Sequence, residues 1–216
     1  MKSKQIFIAG PSGSGKTTLA NYISIRYRIP FIEGSSKPIW PEFNITSHLD
    51  IINRSAKDKD FAVEFQERLL YYRTEKLEGV KEFVTDRSFI DNLVYFTLQA
   101  GPHLNTESHN IYIEMCRESI EKYDPTILFL DINDLNINLE NDNMRVNNRW
   151  FQEATGSLFR DYNNRNIICS KELIVPINEW DWETRINTID KLFDQTKENK
   201  WKRGKEKKEK KEKKEK

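Results

Sequence analysis

Nowhere in the 216 residues does an apolar run approach the ~20 residues that a membrane-crossing helix requires, and no apolar leader segment precedes the first expected strand. The expectation is a soluble, cytoplasmic protein with no membrane partner. Cysteine is scarce: Cys116 and Cys169 are the only two, without C-x-x-C spacing, which argues against a disulfide scaffold or a zinc ribbon. Both fall among apolar residues, so buried, unreactive thiols are expected. The three histidines, His48, His103 and His109, form no ligand pattern, and a protein-held transition metal is not expected. No internal repeat recurs. Net charge is nearly absent as well, at +1, but only by cancellation: residues 200–216 carry +7, which leaves −6 on residues 1–199. From Lys205 to Lys216 there is no apolar residue, so nothing offsets the entropy of ordering that stretch. A solvated tail or a frayed charged helix is expected over 200–216, able to attract nucleic acid or anionic lipid through counterion release.

Against these absences stands one dense signal. Residues 5–17 read QIFIAGPSGSGKT, and Gly10-Pro11-Ser12-Gly13-Ser14-Gly15-Lys16-Thr17 fits the phosphate-binding loop G-x-x-x-x-G-K-[ST] at every position. Glycines in such a loop let successive N–H groups point into one concavity, and the following helix adds the positive end of its dipole. Lys16 is placed to reach the β- and γ-phosphates, and the Thr17 hydroxyl to ligate the Mg²⁺ between them. The context agrees: Ile6 to Ala9 is a short apolar run suited to a buried parallel strand, and Thr17 to Tyr27 carries Leu19, Ile23 and Tyr27 at helical spacing. ATP and Mg²⁺ are therefore the expected cofactors, with Gly10, Pro11, Ser12, Gly13, Ser14, Gly15, Lys16, Thr17 and the adjoining Thr18 as the donor site.

The remainder alternates between strands and helices, the pattern of a doubly wound parallel sheet, and its length suits one α/β domain over 1–199. Strands are expected at Gln5–Ala9, Pro30–Glu33, Glu82–Thr85, Thr126–Asp131 and Leu173–Ile177. Helices are marked by apolar stripes: Phe61, Phe65, Leu69 and Tyr72; Phe89, Leu93 and Phe96; Tyr112, Met115, Cys116, Ile120 and Tyr123; Ala154, Leu158 and Tyr162; Ile186, Ile189 and Phe193. Ligands of open α/β sheets bind beyond the carboxyl ends of the strands. There the sequence offers Glu33, then Asp86-Arg87-Ser88, then Asp131 followed by a polar segment with Arg145 and Arg149. A base for an acceptor hydroxyl, an acid to hold magnesium and arginines for the transferring group are what phosphoryl transfer needs. Asp86 and Asp131 compete for the magnesium role. Arg145 and Arg149, four apart, suit a phosphate clamp.

Taken together, the phosphate loop, the FIEG segment at Glu33, the helix bearing Phe65-Gln66-Glu67-Arg68, the DRSFIDNLVYF block from Asp86 to Phe96 and the Arg145/Arg149 segment resemble the P-loop nucleoside and nucleotide kinases. The deoxynucleoside, thymidylate and ribosylnicotinamide kinase branches are the most similar, and the resemblance spans about residues 4–195. It implies a three-layer P-loop kinase fold, α/β, with a five-stranded parallel sheet flanked by helices, an acceptor-binding region at about 34–80 and a lid at about 133–150. It further implies that Glu33 is the base for the acceptor hydroxyl, that Asp86 holds magnesium through water, that Arg87 serves the acceptor side, that Phe65 and Gln66 read the base, and that Arg145 and Arg149 close on the phosphates. Trp40 and Phe43 either stack on a nucleobase or pack their own loop down. The expected activity is ATP- and Mg²⁺-dependent phosphorylation of a nucleoside or nucleoside monophosphate. Two alternatives stand beside it: a kinase acting on a hydroxyl in DNA or RNA, favoured by the basic tail, and a nucleotide-binding ATPase or switch without a small acceptor. A homodimer is compatible with all three.

Overall fold

Five short apolar segments pair into one sheet: β1 (Gln5–Ala9), β2 (Phe31–Ile32), β3 (Phe83–Thr85), β4 (Pro125–Leu130) and β5 (Ile174–Ile177). The computed structural model describes residues 4–101, 105–131, 149–179 and 181–194. All strand pairs are parallel, in the order β2-β3-β1-β4-β5, with β1 at the centre between β3 and β4. The central position explains why β1 and β4 read as nearly continuous apolar runs: both faces are covered, so neither can afford a polar side.

The helices are α1 (Lys16–Tyr27), α2 (His48–Ser55), α3 (Lys59–Leu77), α4 (Phe89–Gln99), α5 (Thr106–Glu121), α6 (Arg149–Asn164) and α7 (182–194). Successive strand residues point to opposite faces, so two cores form. On one face Phe7, Ala9, Ile127 and Phe129 pack with Leu70, Leu93, Phe96, Cys116 and Phe159 of α3 to α6. On the other, Ile6, Ile8, Val84, Leu128 and Leu130 pack with Leu19 and Ile23 of α1 and with Ile189 and Phe193 of α7. The result is the three-layer arrangement expected. A third, smaller cluster of Ile39, Ile45, Ile51, Phe61, Phe65 and Leu69 lies under the connection between β2 and α3.

Several boundaries differ from the expectation. β2 is two residues rather than four: Glu33 lies beyond it, and Pro30, which has no N–H to donate, joins β3 only by accepting the Val84 N–H at 2.9 Å. A 3-10 helix at Lys37–Phe43 and α2 both lie in the stretch read as loop. Ser47 caps α2 by accepting from the Asp50 N–H, and Arg54 stacks over Phe61 at 3.9 Å while donating to the Phe43 carbonyl at 2.6 Å. The expected lid at 133–150, with Arg145, and the tail at 200–216 lie outside the described residues apart from Arg149 and Trp150 at the start of α6. Burial pushes the Cys116 thiol far up and that of Cys169 up to about 11, so both are protonated at neutral pH. Among the described residues no helix is long and apolar enough to cross a membrane.

Candidate active site

The loop between β1 and α1 has the backbone its glycines allow. Gly10, Gly13 and Gly15 all have φ between 82° and 141°. A Cβ on Gly10 would stand 2.5 Å from the Leu130 carbonyl oxygen, and one on Gly15 would meet the Arg185 guanidinium at 2.9 Å. Gly15 also ends the turn in left-handed conformation, so α1 starts with its N–H groups facing the loop's concavity. Lys16 is buried, and its Nζ donates to the carbonyls of Gly10 and Pro11, both at 2.6 Å. Thr18, two residues further along, is exposed.

Because β3 lies against β1, the residue that follows β3 comes beside the phosphate loop. The Thr17 hydroxyl donates to Asp86 Oδ2 at 2.6 Å, and Asp86 Oδ1 accepts the Gly34 N–H at 2.8 Å. One carboxylate therefore joins the donor loop to the turn that carries Glu33. Asp131, the competing acid at the end of β4, is instead paired with Arg160 at 2.7 Å. Thr17 and Asp86 present hard oxygen donors side by side, a set that fits Mg²⁺ and not a softer metal.

A cavity of about 290 Å³ runs from Ser12 and Thr17 past Glu33, Asp86 and Arg87 to Phe65, Gln66 and Gln99. Glu33 is exposed on its wall. Arg87 pairs with Asp91 at 3.3 Å, and Asp91 also closes the capping box that starts α4 at Ser88. Burial pulls the Arg87 pKa down, but Tyr95, Asp91 and Asp86 more than offset this, so it stands above the ordinary arginine value. Arg73 goes the other way, to about 10, through burial first and then the neighbouring Arg87 charge. The difference has a cause: Arg87 has a carboxylate partner, whereas Arg73 donates to two neutral acceptors, the Gly34 carbonyl at 3.0 Å and the Asn92 side-chain oxygen. Tyr95 also lines the cavity, its phenol pKa raised by burial in spite of Arg87.

At the far end Phe65 is buried and Gln66 is 1% exposed. Gln66 Nε2 donates to Gln99 Oε1 at 2.7 Å, and Gln66 Oε1 has no hydrogen-bond partner among the described residues. Trp40 and Phe43 do not line the cavity. Trp40 donates to Ser36 and meets His48 edge-on, and Phe43 packs edge-on against Phe61 and Phe65. Arg149 opens α6, and Arg145 lies outside the described residues.

Several residues at the site were not singled out from sequence. Arg73 and Gln99 sit on helices whose apolar stripe hides them. Arg185 of α7 donates to the Ser14 carbonyl at 2.8 Å from 171 residues away, and Gln152 of α6 to the Ser12 carbonyl at 3.2 Å. Only Tyr95 and Asp91 had a local signal, the DRSFIDNLVYF block itself.

A family model described as an AAA domain matches residues 5–174. No curated protein matches the sequence. Among solved structures, deoxyadenosine kinase from M. mycoides with dCMP and dCDP bound superposes with a TM-score of 0.64 at 14% identity, covering 89% of this chain and 99% of that one. The same enzyme with dATP gives 0.62 at 14% identity, covering 88% and 98%. A NadR protein in complex with NR gives 0.56 at 18% identity, covering 82% of this chain and 46% of that one. At these identities the likeness is one of fold, that of the P-loop kinases.

Proposed function

The chain belongs to the AAA domain family, and from that premise we propose that it is an ATP- and Mg²⁺-dependent kinase whose acceptor is a nucleoside or nucleoside monophosphate. One observation carries this reading: a single cavity joins the phosphate loop, at Ser12 and Thr17, to a carboxylate, an arginine and the carboxamides of Gln66 and Gln99, leaving room beyond the loop for a second substrate. An ATPase without a small acceptor has no use for that second compartment.

The roles follow from placement. Loop N–H groups and the α1 N-terminus hold the donor phosphates, and Lys16 exchanges two neutral carbonyl partners for phosphate oxygens. Thr17 and Asp86 would hold Mg²⁺, which when bound offsets charge on the phosphates. Glu33, exposed to the cavity, accepts the proton of the acceptor hydroxyl. Arg87, kept charged by Asp91, faces the transferring group from the acceptor side. Gln66 and Gln99 meet polar atoms on the acceptor's base, with Phe65 beneath. Arg145 and Arg149 remain the residues we assign to closure over the phosphates, which keeps water from competing with the acceptor.

The test is incubation with γ-labelled ATP and Mg²⁺ against nucleosides, nucleoside monophosphates and short oligonucleotides, followed by product separation. Label on a free nucleoside or monophosphate is the expected result. Label on oligonucleotides alone, or release of inorganic phosphate with no labelled acceptor, overturns the proposal.

A further inference from the structure

Arg73 is 8% exposed, and taking an arginine out of water is costly unless its partners compensate. It has no carboxylate partner within ion-pair distance among the described residues; its two hydrogen bonds go to the Gly34 carbonyl, through Nε at 3.0 Å, and to the Asn92 side chain. Asn92 is itself fully buried on α4. A cation spent on neutral acceptors at the wall of the cavity is poorly explained by stability alone, because an apolar residue would fill the same space at less cost.

What it holds is more telling. Gly34 follows Glu33 directly, and both backbone polar groups of Gly34 are engaged. Its N–H goes to Asp86 Oδ1 at 2.8 Å, its carbonyl to Arg73, and its α-carbon lies so near Arg87 that a Cβ there would come within 2.6 Å of the Arg87 side chain. The Glu33 carbonyl is taken by Lys76 at 3.0 Å. β2, only two residues long, gives this turn little ladder support, so the clamp sets where the Glu33 carboxylate stands.

We infer that Arg73, braced by Asn92, is a positioning residue that holds Gly34 by its carbonyl and thereby aims the carboxylate of the preceding Glu33 at the acceptor hydroxyl. The inference rests on the proposed transfer reaction for its consequence, though not for its geometry. Arg73 acts through Glu33, so its loss matters only while Glu33 is able to take a proton.

The experiment is a double-mutant cycle in the full chain, combined with amide hydrogen exchange. Arg73→Lys keeps a buried cation but replaces the two-pronged fork by a single ammonium. It should lower kcat by about 10- to 100-fold, the scale of a misaimed catalytic group, with KM for ATP within about threefold. Introduced into Glu33→Gln, the same change should lower kcat by less than about threefold. Losses that multiply in the double variant overturn the positioning role, as does an unchanged kcat in the single one. Independently of activity, Gly34 N–H exchange should rise by about tenfold or more in Arg73→Lys while Phe7 in β1 keeps its protection. Unchanged Gly34 protection sinks the clamp. Lost protection in a protein that labels no acceptor leaves the clamp standing and removes the kinase reading instead. Should Arg73→Lys fail to fold, Asn92→Ala releases the arginine from its other end and is read by the same measurements, with the same outcomes deciding.

Discussion

Lys16 is buried with its ammonium held by the Gly10 and Pro11 carbonyls, so the loop carries its cation before any phosphate arrives. Charge-assisted bonds to phosphate are roughly twice as strong as those to neutral carbonyls, which favours the exchange on binding. Lys16→Ala should lower phosphoryl transfer by about 10³-fold or more while circular dichroism shows the fold retained; a folded, fully active variant would end the proposal. Glu33 adjoins Gly34, whose N–H donates to Asp86, yet the two acids should be separable by kinetics. Glu33→Gln is nearly isosteric and should lower turnover by roughly 10²- to 10⁴-fold with ATP affinity within a few fold. Asp86→Asn removes charge beside Thr17 and should shift the Mg²⁺ concentration needed for half-maximal rate, which Glu33→Gln should not. Full turnover in Glu33→Gln would make Glu33 a turn residue and favour a monophosphate acceptor, whose anionic oxygen needs arginine more than a base.

Among the elements, α4 shows how a helix start can organise a site. Ser88 and Asp91 form a reciprocal cap, with the Ser88 N–H to Asp91 Oδ2 at 2.9 Å and the Asp91 N–H to Ser88 Oγ at 3.3 Å, while Asp91 Oδ1 pairs with Arg87. Ser88→Ala should cost about 1 kcal/mol, a melting-temperature drop of about 2–4 °C for a chain of this size. It should also raise KM for the acceptor more than for ATP, because Asp91 loses the hydroxyl that orients it against Arg87. Equal changes in both constants, or none, would mean that the cap serves the helix alone. The same helix shows what sequence can and cannot disclose. Phe89, Leu93 and Phe96 announce α4, and Phe61, Phe65 and Leu69 announce α3, because burial against the sheet imposes the 3.6 period. α2 and the 3-10 helix at Lys37–Phe43 leave no such trace: one is eight residues long, and the other contains Pro38 and Pro41. Arg73 was hidden for a different reason. Its partners lie 39 and 19 residues away, and nothing local separates it from a solvated arginine on a helix flank.

For the whole molecule, the strand order matters more than any single element. By placing β3 beside β1, it brings Asp86 to Thr17 across 69 residues of chain and makes one cavity that runs from Ser12 and Thr17 to Gln66 and Gln99. The phosphate loop was legible because its chemistry is local; the cavity was not, because it exists only once the sheet has closed. A continuous cavity has a thermodynamic consequence. A ligand that fills both ends, such as a dinucleoside polyphosphate joining adenosine to the preferred nucleoside, loses translational freedom once rather than twice. At a concentration 100 times its dissociation constant it should stabilise the fold by about 2.7 kcal/mol, or roughly 5–11 °C in melting temperature for a protein of this length. Its dissociation constant should lie well below those of ATP and of the nucleoside measured separately by calorimetry. Lys16→Ala should abolish that advantage while leaving nucleoside binding in place, since only the phosphate end is damaged. If the joined ligand binds no more tightly than ATP alone, the two compartments do not communicate. The second compartment would then have to be assigned to something other than the phosphate acceptor.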